Sequence, residues 1–78
     1  MKLKHAMGDT IRTLRQERNM TLRSLSSKSH VALGHISDVE RGIKGVSTEL
    51  LEAIAYGLDL STADLIGEIY EYLKDNHV

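Results

Sequence analysis

Residues 21–42, TLRSLSSKSHVALGHISDVERG, constrain the fold of this chain more than any other stretch. Apolar residues recur there at helical spacing in two short runs, separated by Ser29-His30 and closed by Gly42. Thr21 is a good N-cap for a helix over roughly Leu22–Lys28. A second helix is expected over about Ala32–Arg41, with Gly42 as its stop. Leu22, Leu25, Val31, Ile36 and Val39 are the apolar positions that would lock the two helices at a fixed angle. Leu33, Gly34, His35, Ser37 and Asp38 lie between them, on the opposite side.

The same periodicity extends along the chain. There is no proline and no sustained alternation of apolar and polar residues, so strands are not expected. A first helix runs from about Leu3–Met7 to Arg18 with Met7, Ile11 and Leu14 on one face. Asn19-Met20 ends it, because Asn tolerates the left-handed conformation of a cap. Ser47 or Thr48 caps a fourth helix carrying Leu50, Leu51, Ile54, Ala55 and Leu58. Ser61 and Asp64 resemble a capping box with Asp in place of Glu, opening a fifth helix that runs to about Lys74. Its apolar stripe is Leu65, Ile66, Ile69, Tyr72 and Leu73. The expected fold is all-α, five helices in one domain over residues 1–78, with an extended C-terminal helix over about 62–75.

Charge is divided along the chain. Residues 1–46 hold nine Lys/Arg against four Asp/Glu, a net +5; residues 47–78 hold one against seven, a net −6; together they give the −1 of the whole. A DNA backbone attracts the first part and repels the second, which orients the domain on a duplex. Two short helices joined by a tight turn are also the pattern of a helix-turn-helix, whose second helix enters the major groove.

Other chemistry finds little support. No cysteine is present, which removes disulfides and thiolate metal sites. His5, His30, His35 and His77 are never three or four apart, so no metal is expected. There is no glycine-rich phosphate loop and no nucleophile elbow, so neither an enzyme, a cofactor nor a small-molecule substrate is expected. No apolar run approaches the ~20 residues of a membrane span and no signal peptide is visible, which implies a cytoplasmic protein.

The segment LRQERNMTLRSLSSKSHVALGHISDVERGIKGVSTELLEAIAYGLDL resembles the λ-repressor-like family, also called the Cro/C1 or Xre type, and the likeness covers about residues 7–66. Within it, VALGHISDVERGIKGVSTELLEAI is similar to the actinobacterial regulators that activate Clp protease genes. Three positions depart from the family habit: Leu22 stands where Gln is frequent, His30 where the turn is usually Gly, and Val46 where Pro usually precedes the helix-four cap. The resemblance implies that Arg15 and Glu40 meet across helices one and three as a structural pair.

For the outward face, Leu33 either contacts a thymine methyl or folds back onto the body, and Gly34 admits close approach of the DNA. His35 donates to guanine N7 or O6, reaches a phosphate, or is simply solvated. Ser37 is a further base-reading candidate, and Asp38 either accepts from cytosine N4 or holds a neighbouring arginine. Arg12, Thr21, Arg23, Arg41, Lys44 and Ser47 are the candidate phosphate contacts, which position without reading sequence. Ile69, Tyr70, Tyr72 and Leu73 form either a dimer interface or the last of the monomer core. The expected partners are double-stranded DNA and a second copy of the chain. The alternative is an antitoxin or phage control protein whose acidic half grips a protein partner.

Overall fold

Three side-chain caps set where helices begin. Thr21, Ser47 and Ser61 stand in extended conformation and accept from the backbone N–H three residues on, at 3.0 Å from Ser24, 3.2 Å from Leu50 and 3.0 Å from Asp64. In the computed structural model, which describes residues 1–76, the elements are α1 Leu3–Glu17, α2 Leu22–Ser29, α3 Leu33–Glu40, α4 Thr48–Gly57 and α5 Thr62–Asp75. There is no strand among the described residues; His77 lies outside them. The fold is therefore all-α with five helices, and the fourth is capped by Ser47 rather than Thr48. The Ser61–Asp64 box is only half formed: no bond returns from the Asp64 carboxylate, whose side chain is one methylene shorter than the usual Glu.

Each connection is turned by a residue with positive φ: Asn19 at 55°, His30 at 62°, Gly42 at 73° and Asp59 at 61°. Asn19 and His30 behave as the sequence suggests, and Asp59 is a third left-handed non-glycine that it does not reveal. Gly42 is fixed twice over. Its φ disfavours a side chain, and a Cβ there would collide with the His5 ring.

The core is aliphatic: Ile11, Leu25, Ile36, Val39, Ile54, Leu58 and Leu65 are fully buried. Helix α1 packs on α3 and α5, α2 on α3 and α4, and α4 on α5, so α3 is held between α1 and α2. Leu22 and Val46, the two apolar departures from the family habit, pack at the rim of this core.

Helix α5 corrects one expectation. Ile69 is 6% exposed and belongs to the core of this chain, and Leu73 packs against that core. Tyr72 Oη donates to Asp9 Oδ2 on α1 at 2.8 Å. These three therefore complete the monomer, because the α1–α5 contact already uses the stripe. Of the four interface candidates only Tyr70 is exposed, with Lys74 Nζ 5.9 Å from its ring centre.

The hydrogen bond to Asp9 raises the Tyr72 pKa above its ordinary value, helped by desolvation and by the Asp9 charge. Because the folded value is the higher one, this bond's stabilisation is complete below the ordinary tyrosine pKa. It is lost as pH rises through the raised value. Asp9→Ala is expected to shift the Tyr72 ionisation to lower pH in a spectrophotometric titration; an unchanged curve would mean the bond is not formed in solution.

Candidate nucleic-acid interface

Helix α3 is eight residues long and divides its duties by face. Ile36 and Val39 are fully buried, while Leu33 and Gly34 are exposed and His35, Ser37 and Asp38 are half-buried. Leu33 stays at the surface, 36% exposed, instead of folding back into the core. A Cβ on Gly34 would meet nothing within 4 Å. The free chain thus gives no packing reason for a residue that costs a helix about 1 kcal/mol relative to Ala.

The turn before α3 is braced by serines. Ser26 Oγ donates to the Val31 carbonyl at 2.6 Å. Buried Ser29 donates to the Leu25 carbonyl at 2.7 Å and accepts from Val31 N–H at 3.3 Å. Neither brace stands out in the sequence, since each partner is identifiable only once the turn exists.

The far end of α3 is clamped by α1. Arg15 Nε and Nη2 donate to the two Glu40 carboxylate oxygens at 2.7 and 3.0 Å, and Nη1 donates to the Met20 carbonyl at 2.8 Å. Glu40 is 5% exposed, so its charge is answered inside the fold. The hydrogen bond to Glu40 raises the Arg15 pKa, burial opposes it, and the carboxylate charge adds to it. Arg12 stands second in line, with Nε 3.7 Å from the same carboxylate and its side chain 45% exposed. Gly8 lets the helices meet: a Cβ there would collide with the Val39 carbonyl oxygen and lie 2.9 Å from that of Glu40. Arg18 ties α1 to the end of α4 by donating to the Leu58 carbonyl at 2.9 Å. Neither Gly8 nor Arg18 stands out in the sequence, because their partners are 31 to 40 residues away.

Asp38 holds its neighbours. Its Oδ1 accepts from Arg41 Nη2 at 2.6 Å, and Lys44 Nζ lies 3.7 Å from Oδ2. Its backbone carbonyl accepts from the N–H groups of Ile43 and Lys44 at 2.9 and 3.3 Å. The arginine-holding alternative is the one formed in the free chain. It gathers Arg41 and Lys44, each with a 56% exposed side chain, beside the end of α3. Arg23, Thr21 and Ser47 are exposed; the two hydroxyl oxygens accept from backbone N–H groups as caps, which leaves each hydroxyl proton free to donate. No group of His, Asp or Glu among the described residues is arranged to hold a metal, and no helix is long and apolar enough to cross a membrane.

A helix-turn-helix family profile matches residues 11–65. The transcriptional regulator ClgR of Mycobacterium tuberculosis is 41% identical over 58 residues, covering 74% of this chain and 52% of that protein. SinR of Bacillus subtilis is 32% identical over 73 residues, covering 92% of this chain and 66% of that protein. The chain spans about half the length of the ClgR it matches by sequence. Among solved structures, the clp gene regulator ClgR of Corynebacterium glutamicum superposes with a TM-score of 0.86 at 36% identity, over 95% of this chain and 79% of that one. The restriction-modification controller protein C.Esp1396I, solved as a tetramer with its natural 35-base-pair operator, gives 0.89 at 26% identity, over 95% and 97%.

Proposed function

The chain belongs to the helix-turn-helix family, in its λ-repressor-like (Cro/C1, Xre-type) branch, and from that premise we propose that it is a transcriptional regulator that binds double-stranded DNA sequence-specifically as a homodimer on a palindromic operator, acting in the cytoplasm. The carrying observation is the outer face of α3. Leu33, Gly34 and His35 stand clear of the core at the start of a helix clamped at its other end, and the missing side chain of Gly34 has no partner in the chain. A non-specific binder would carry Lys or Arg on that face. In this reading α3 enters the major groove, Leu33 meets a thymine methyl, and His35, Ser37 and Asp38 supply polar readout. Arg12, Thr21, Arg23, Arg41, Lys44 and Ser47 fix the register through phosphates. Asp38 reads a base only if its bond to Arg41 exchanges, so its first duty is to aim that arginine.

Dimerisation is assigned to the side of α5 that the core does not use. Ile66 is 51% and Tyr70 59% exposed, one turn apart, with the exposed Gly67 between them. Such an apolar strip with Tyr suits an interface. The similar controller protein is named as a tetramer on its operator, which supports assembly on DNA. Ile66→Glu is expected to turn a sedimenting dimer into a monomer; a dimer that persists would place the interface elsewhere.

Selection from random duplexes with the purified protein, followed by sedimentation of the complex, tests the whole reading. A palindrome with half-sites about one helical turn, ~34 Å, apart and two chains per site is the expected product. No enrichment would favour the partner-binding alternative. On the selected site, Gly34→Ala separates fold from function. It is expected to leave thermal stability equal or about 0.5–1 kcal/mol higher, while operator affinity falls at least tenfold. Affinity at the wild-type level would remove Gly34 from the interface.

A further inference from the structure

We propose that the first turn of α1 is a second phosphate-gripping element, in which Lys2 and Lys4 hold the duplex backbone flanking the bases that α3 reads; this rests on the DNA-binding reading above. The placement comes from two contacts. The His5 ring lies against Gly42, where a Cβ would strike it, and Gly8, nearly one turn further, lies against the last carbonyls of α3. The first turn of α1 therefore runs beside the end of α3 and the loop that carries Lys44. Lys4 is four residues before Gly8 and Arg12 four after it, so the three share one stripe of α1. Its middle touches α3, and its two ends carry cations on either side of that crossing.

The charge on this edge is uncompensated. Lys2 and Lys4 are exposed and enter no ion pair among the described residues. The first turn of α1 contains no acid. Asp9, the nearest one along the helix, is committed to Tyr72. Across the loop, Arg41 and Lys44 share the single carboxylate of Asp38 and keep a net positive charge. Lys2 and Lys4 thus add a cationic border to the proposed phosphate clamp of Arg41 and Lys44, on the end of α1 that lies against Gly42. The fold itself gains nothing from this arrangement, since cations at the start of a helix oppose its dipole. A phosphate backbone laid along the border answers all four charges at once, without reading any base.

The test is the salt dependence of binding to the selected operator by the full chain, wild type against Lys2→Gln/Lys4→Gln. Loss of two phosphate contacts is expected to flatten the slope of log affinity against log salt by about 1.8. Base preference should stay unchanged and the thermal midpoint should not fall, because both side chains lie outside the core and their charges oppose the helix dipole. Phosphate ethylation interference should lose its signal only at the outer phosphates. Lys28→Gln, at a lysine already paired with Asp59, should leave the slope alone; an equal flattening there would reduce the effect to overall charge and overturn the proposal. A wild-type slope in the double variant would overturn it too, leaving the DNA reading intact. A wild-type protein that binds no duplex would remove both.

Discussion

Glu40→Ala is expected to cost about 3–5 kcal/mol of folding stability, because it leaves the Arg15 guanidinium poorly solvated without its carboxylate. The Arg15 side chain is only 12% exposed and that of Glu40 4%. Total stability for a chain of this length is about 4–12 kcal/mol, so the variant should lose at least about a quarter of it, read as a lowered urea midpoint. Arg12, already 3.7 Å from the carboxylate, would be left facing Arg15 and add repulsion. Replacing both partners together, as Arg15→Met/Glu40→Leu, should cost less than either single change, since no charge is then stranded. A Glu40→Ala cost below about 1 kcal/mol, the range of an exposed ion pair, would show that the clamp on α3 lies elsewhere. Operator affinity lost in Glu40→Ala should follow the unfolded fraction, marking the role as structural.

Gly8→Ala is expected to destabilise by about 2–3 kcal/mol through overpacking. The added methyl meets backbone carbonyls of Val39 and Glu40, not the yielding end of a side chain. Relief requires α1 to move away from α3, which also loosens the Arg15–Glu40 pair. At roughly 4–8 °C per kcal/mol for a domain of this size, the thermal midpoint should drop by about 10–20 °C. The paired measurement is Gly34→Ala, the same chemical change on α3, which meets open space and should not lower the midpoint. Equal drops in both would reduce the Gly8 effect to something other than the α1–α3 contact.

Much of the fold is legible in the sequence because its determinants are local. Thr21, Ser47 and Ser61 announce helix starts through their own side chains, and Asn19 and His30 tolerate the left-handed turn that ends a helix. The apolar spacing of Leu25, Ile36 and Val39 marks the inner face of the motif directly. What stays hidden depends on distant partners. Nothing around Gly8 indicates that a carbonyl from residue 39 will occupy the space beside it. The stripe on α5 shows the same limit: Leu65, Ile69 and Leu73 read as apolar and helical, but the sequence does not say whether α1 or a second chain covers them. Asp38 is ambiguous for another reason, since Arg41 one turn away and a cytosine amino group offer a carboxylate similar chemistry.

The division of α3 into two faces has an evolutionary consequence. Ile36, Val39 and Glu40 carry its packing and its anchor, whereas Leu33 and Gly34 are exposed and His35 is half-buried outside the core cluster. Substitutions at the latter three leave folding largely untouched and so escape the stability filter that removes most mutations. Duplicated copies of such a gene can drift apart at these three positions while remaining equally foldable. One scaffold can then supply many regulators that ignore one another's promoters, and the outer residues of α3 can be exchanged between relatives without redesigning the domain.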